Sequence, residues 1–141
     1  MLLYFDNSVL NRPFDDQRQP RIWLETLSFS LVLTLVEAGE AKLIRSPIHD
    51  LENDRNPFAL RRRWVEKCLR LAAASIALDE SIKSRALALE QSGFKALDAF
   101  HLACAEAAGT ERFLTCDDRL IRRYSGQMIV ESPVAFTINL M

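Results

Sequence analysis

The sequence predicts an α/β protein: a three-layer α/β/α sandwich around a central, mainly parallel sheet of about five strands. Two patterns predict it. Short apolar runs (LLYF, AKLIR, SIAL, ERFLT and QMIVE) alternate with longer helix-like stretches, and such alternation builds parallel sheets covered on both faces. All four glycines (Gly39, Gly93, Gly109 and Gly126) fall where a helix is expected to end, the place glycine favours. The 141 residues read as one domain, 1–141.

The elements follow in order. Residues 2–5 are a buried strand ending at Asp6, and Asp6, Asn7 and Ser8 supply capping oxygens for a helical turn through Leu10. Residues 11–20 are polar, with two prolines, and read as a loop. Residues 21–38 alternate like a strand but are too long for one, so they read as a largely buried helix closed by Gly39. Residues 41–45 are the second strand. Ser46-Pro47 is a hydroxyl cap followed by proline at the first helical position, and that helix runs to about Arg55 before Asn56-Pro57 breaks it. A helix over 58–72, a strand over 75–78 and helices over 79–92 and 95–108 come next. The strand 111–115, a helix from Asp117 to Tyr124 and the strand 127–131 complete the alternation. The closing SPVAFTINL reads as a short strand or a turn.

Composition narrows the function. The chain is 49% hydrophobic and 26% charged with net charge −1, so any nucleic-acid binding must come from a local basic patch. Cys68, Cys104 and Cys116 show no CxxC spacing, which fits a reducing cytoplasm better than disulfides or zinc. The start MLLYFDNSVL has no basic region before its apolar run and reads as no signal peptide. The uncharged stretch Thr26–Val36 falls short of the roughly 20 apolar residues of a membrane span. Neither GxGxxG nor GxxxxGK[ST] occurs, so no nucleotide cofactor is expected.

Four acids carry the chemistry. Asp6 follows the first strand, Glu52 lies on the helix after the second, Asp98 opens the helix at 95–108, and Asp117 follows the strand at 111–115. Each alone is explained as a helix cap, a dipole partner or a solvated acid. Together they occupy the rim where an open α/β sheet binds ligands, beyond the carboxyl ends of its strands. Two carboxylates about 4 Å apart repel by roughly 4 kcal/mol at an effective dielectric near 20. A cluster of them protonates, splays or takes a cation, and oxygen ligands favour Mg²⁺ or Mn²⁺. His101, three residues after Asp98, is expected to make a structural hydrogen bond, and His49 to lie at the surface or to support the site. A Ser8–His101–Asp98 triad lacks the GxSxG turn that would support it. Arg61, Arg62 and Arg63 form one basic cluster, and Arg119, Arg122 and Arg123 another. Arg119, then Lys95, with Arg122 beside them, are the expected phosphate contacts.

The succession DNSVLNRP, S-P-x-x-x-x-E-x-x-x-N-P, G-F-K-x-x-D-A-x-H-L-A-x-A-E and F-L-T-x-D-D-R-L resembles the PIN domain family from Leu2 to about Val134. GFKALDAFHLACAEAAGTERFLTCDDRLIRR is its most specific part. The resemblance implies a metal-dependent ribonuclease with Asp6, Glu52, Asp98 and Asp117 as catalytic and metal-binding acids. In it Thr115 supports the last acid, Asn7 and Ser8 take the small polar positions after the first, and Asp118 assists or replaces Asp117. It implies an RNA substrate. Many small prokaryotic members are toxins held by an antitoxin, and many pair, so the apolar segment 11–45 is a candidate homodimer face. A PIN-like module that binds RNA or protein without cleaving is the alternative. A phosphatase of small molecules lacks a phosphate-binding loop.

Overall fold

Five strands form one wholly parallel sheet in the order β3-β2-β1-β4-β5 in a computed structural model that describes residues 1–141. They are β1 (Leu2–Phe5), β2 (Lys42–Arg45), β3 (Ala74–Ser75), β4 (Arg112–Leu114) and β5 (Ile129–Glu131). The helices are α1 (Asn7–Asn11), α2 (Pro20–Glu37), α3 (Pro47–Asp54), α4 (Ala59–Leu69), α5 (Glu80–Gln91), α6 (Ala96–Ala107), α7 (Asp118–Arg123) and α8 (Pro133–Leu140). A 3₁₀ turn (Arg12–Phe14) interrupts the expected loop.

The layering follows from the period of β1. Leu3 and Phe5 enter a core with Val9 and Leu10 of α1, Phe29 and Val32 of α2, Val65 of α4 and Phe136 of α8. Tyr4 points the other way, among Ile48 of α3, Ile82 and Leu89 of α5, Leu102 of α6 and Leu120 of α7. The central strand is therefore buried on both faces, as parallel sheets require. Strand order reverses at β1, with β2 on one side and β4 on the other. The ligand crevice of such a sheet opens at that reversal.

Four expectations change. The closing segment is helix α8, not a strand or turn: Ser132 accepts a hydrogen bond from the Ala135 N–H and Pro133 holds the first helical position. It is the same Ser-Pro start as α3, and burial of Phe136 beside α2 overrides the β-branched composition. The third strand is two residues at the sheet edge: the Ile76 N–H still donates to the Arg45 carbonyl of β2, and Ile76 and Leu78 pack on the second core. Helix α2 is only half buried: Phe29, Val32 and Val36 face the core, while Trp23, Leu24, Leu27 and Leu31 are about half exposed. His49 is fully buried rather than at the surface. Its Nδ1 accepts the Ser46 N–H and its Nε2 donates to the Phe5 carbonyl. No helix is long and apolar enough to cross a membrane, and the three cysteines are buried and free.

Candidate active site

Asp6 caps α1 at the carboxyl end of β1. It is 5% exposed, and three donors converge on it: the Ser8 hydroxyl (2.5 Å), the Thr115 hydroxyl (2.5 Å) and the Val9 N–H (3.3 Å). Each hydroxyl also accepts a backbone N–H, Ser8 Oγ that of Cys116 and Thr115 Oγ1 that of Asp117. Thr115 thus ties the end of β1 to the start of α7. Burial pushes the Asp6 carboxyl up to about 7 against the lowering effect of those donors, and the charge of Asp98 adds to the rise.

Asp98 lies in the first turn of α6. Its carboxyl is raised by burial, then by Asp117 and by Glu52, with Lys95 opposing. Asp98 is therefore the acid through which the other three are coupled. Glu52 on α3 is raised by burial, with Arg55 opposing, and its Oε1 takes a hydrogen bond from His101 Nε2 (2.9 Å). Asp117 caps α7 by accepting the Arg119 N–H.

A buried chain of hydrogen bonds fixes Glu52. Ser46 Oγ accepts the Ile48 N–H and pairs with the Tyr4 hydroxyl (2.7 Å), which in turn meets His101 Nδ1 (2.6 Å). Burial holds the His101 imidazole down near 3, so the ring is neutral. A neutral ring that donates from Nε2 to a carboxylate must accept at Nδ1. Tyr4 therefore donates to His101, and Ser46 donates to Tyr4. His101 makes the structural bond expected of it. The Ser8–His101–Asp98 triad does not form, because Ser8 gives its proton to Asp6 and the acid at His101 is Glu52.

Beside Asp98 and Asp117 opens a cleft of about 100 Å³ lined also by Lys95, Arg119, Gly93 and Arg123. Lys95 and Arg119 both line it, beside the two acids. Arg122 is exposed and does not line the cleft. Arg123 takes its place, a residue that helical spacing could have found, since it lies one turn from Arg119 on the same face. Its Nη1 donates to the Gly93 carbonyl. Gly93 has φ +108°, a backbone conformation that favours glycine.

Asn7 is buried and donates to the His49 carbonyl. Asp118, the acid expected to assist or replace Asp117, pairs with α2. It is exposed and bound twice by the Arg21 guanidinium of α2, at 2.7 and 2.6 Å, which holds its carboxyl below the usual range. Asp118→Asn is expected to leave the unfolding free energy nearly unchanged, as loss of an exposed ion pair does. Urea unfolding beside wild type checks this.

The doubly wound parallel sheet defines the class: an α/β domain, here with Asp98 and Asp117 lining a cleft. The chain belongs to the PIN domain family, whose profile matches residues 3–126. No curated protein matches it. Among solved structures it is similar to a chain of a toxin-antitoxin complex from Klebsiella pneumoniae, at 21% identity and TM-score 0.60 over 93% of this chain and 97% of that one. It is also similar to a chain of VapBC2 from Rickettsia felis bound to a promoter DNA fragment, at 14% identity and TM-score 0.61 over 94% and 98%. A third likeness, to FitAB bound to the IR36 DNA fragment, has 19% identity and TM-score 0.56 over 95% and 96%. These likenesses are ones of fold.

Proposed function

We propose that the chain is a metal-dependent endoribonuclease that hydrolyses RNA phosphodiester bonds at the four-acid mouth, and that it is the toxin of a toxin-antitoxin pair. The observation that carries the reading is Asp98, electrostatically coupled to Asp6, Glu52 and Asp117 at the point where strand order reverses. Membership of the PIN family, whose domains are generally nucleases, supports hydrolysis. The likeness to chains of toxin-antitoxin complexes supports an antitoxin partner.

The donor set suits Mg²⁺ or Mn²⁺. It offers carboxylate oxygens only, because His101 turns its N–H, not a lone pair, toward Glu52. Asp6, raised to about 7 with no cation beside it, is an acid short of a counter-charge. Asp6, Glu52, Asp98 and Asp117 would hold the ion, which when bound acidifies a water and neutralises charge on the reacting phosphate. The chain does the rest. Ser8 and Thr115 orient Asp6, and His101, held by Tyr4, orients Glu52. Lys95 and Arg119 offer cations to the RNA backbone next to Asp98 and Asp117. The protein is expected to cleave single-stranded RNA in Mg²⁺ or Mn²⁺ and not in EDTA. Equal cleavage in chelator would defeat the reading.

One observation favours a chain that binds without cleaving: no three His, Cys, Asp or Glu side chains stand close enough, as they lie, to hold an ion. Calorimetric titration with Mn²⁺ separates the readings. Binding at micromolar to sub-millimolar metal supports the nuclease, and none at millimolar metal supports the inert module.

The outer face of α2 supports a homodimer. Trp23, Leu24, Leu27 and Leu31 recur at helical spacing and are each about half exposed, and no charge lies between Glu25 and Glu37. Contiguous apolar surface of this kind marks interfaces. The double substitution Leu27→Glu, Leu31→Glu is expected to convert a dimer to a monomer in light scattering, with the circular dichroism of the wild type retained.

A further inference from the structure

A second cleft is lined by Glu52 and shares no residue with the basic one. It measures about 290 Å³, the lower end of the ~300–1,000 Å³ range of small-molecule sites. Four of the chain's five asparagines line it: Asn7 and Asn11 of α1, Asn53 of α3, and Asn56 in the link to α4. Phe58 and Arg61 form its rim. The Arg61 guanidinium lies 5.0 Å from the centre of the Phe58 ring, which is 58% exposed.

Two of the four amides leave an acceptor over, because the Oδ1 atoms of Asn11 and Asn56 accept from Asn56 Nδ2 and the Phe58 N–H while those of Asn7 and Asn53 accept nothing. All four nitrogens are spent inside the protein: Asn7 donates to the His49 carbonyl, Asn11 to the Asn7 carbonyl, Asn53 to the Arg62 carbonyl and Asn56 to Asn11 Oδ1. A backbone carbonyl only accepts, which fixes the amide ends of Asn7, Asn11 and Asn53, and a backbone N–H only donates, so the Phe58 N–H at Asn56 Oδ1 fixes Asn56. The Oδ1 atoms of Asn7 and Asn53, on side chains 4% and 3% exposed, are left with no partner. A buried acceptor without a donor is unfavourable. What the cleft lacks is a flat guest that brings N–H groups and stacks on an aromatic rim.

We propose that this cleft is a nucleobase subsite that prefers bases with donor-rich edges, guanine first and uracil last. Guanine presents an adjacent ring N–H and amino group, whereas the single N–H of uracil is flanked by carbonyls. A base on Phe58 and Arg61 stacks as unpaired RNA bases do on aromatic and guanidinium planes. The two oxygens are shut from water as the side chains lie, so the rim must part for the base to reach them. The inference rests on the RNA reading above. It adds a direction: the strand runs from the Lys95–Arg119 cleft, which takes phosphate, across the acids to the asparagine cleft, which takes a base. A polar floor with Phe58 its one hydrophobic residue argues against an apolar protein helix as the guest.

The test is binding of fluorescent RNA hexamers in EDTA, where no cleavage confuses the reading: all-uridine against hexamers with one guanosine, adenosine or cytidine. The guanosine hexamer is expected to bind at least about fivefold tighter than all-uridine. Asn53→Leu removes that preference, and Phe58→Ala weakens every hexamer about tenfold. Phe58 is exposed, so its variant reports even where Asn53→Leu fails to fold. Equal binding of all hexamers to wild type, or unchanged binding by Phe58→Ala, overturns the subsite. So does an arginine-bearing peptide that occupies the cleft while no hexamer competes with it, which would make the guest a protein. A wild type that selects guanosine yet cleaves nothing in Mn²⁺ keeps the subsite and removes only the nuclease.

Discussion

Asp98→Asn is expected to lower the rate of RNA cleavage by about 10³-fold with little change in RNA affinity. The residue feels the charges of Asp117 and Glu52, and Asp6 feels its charge, so its neutralisation weakens cation binding in the mouth. Metal stabilisation of a reacting phosphate amounts to several kcal/mol, and about 4 kcal/mol is three powers of ten. The fold is not at stake. Asp98 sits partly exposed in the first turn of α6, and its carboxyl is shifted by burial and charge, not by a donor, so no bond is lost. Removing a charge that Asp117 and Glu52 oppose leaves the melting temperature unchanged or higher. The phosphate contacts, on Lys95 and Arg119, remain. Single-turnover rates, filter binding and thermal melts measure the three quantities. A variant within tenfold of wild type in rate would exclude Asp98 from catalysis.

The second large effect is on stability. Metal-free Asp6→Asn is expected to gain stability relative to wild type as pH rises from about 4 to about 7. Asp6 titrates near 7 in the folded protein and near 3.9 in an unfolded chain. Between those values the native state holds a proton that the unfolded state has lost, so the Asp6 contribution falls as pH rises. At 1.36 kcal/mol per pH unit the swing is about 4 kcal/mol. His49 and His101, both pushed down near 3 by burial, act in the opposite sense, because the unfolded chain protonates them first. They are present in both proteins and cancel in the difference. Urea unfolding of the pair at pH 4, 5.5, 7 and 8 reads the effect. At pH 8, Mn²⁺ at about 100 times its dissociation constant should restore about 2.7 kcal/mol to wild type and much less to the variant. A difference that stays flat with pH would show that Asp6 is charged throughout.

Much of this was written locally. Ser46-Pro47, Asp117 and the glycines marked helix boundaries because capping involves residues within a few positions of each other. The same logic was present in Ser132-Pro133 and was outweighed by the β-branched run that follows it. Asp118 is the instructive case. Next to Asp117 in sequence, it turns outward because α7 rotates successive side chains by about 100°, and Arg21, 97 positions away, claims it. Arg122 and Arg123 part company for the same reason.

The sequence by itself determined the order of strands and helices, the parallel sheet they build, the family, and the placing of four acids where strands hand over to helices. Periodicity, caps and glycine stops act over a few residues and survive in any one-dimensional reading. Only the tertiary structure decided that Asp98 stands among the acids, that His49 is interior, that Tyr4 and His101 brace Glu52, and that four asparagines from α1, α3 and the following link meet in one cleft. Those facts depend on which distant side chains share a neighbourhood and on how much water is left there. Chain position does not encode either quantity until the sheet has closed over its two cores.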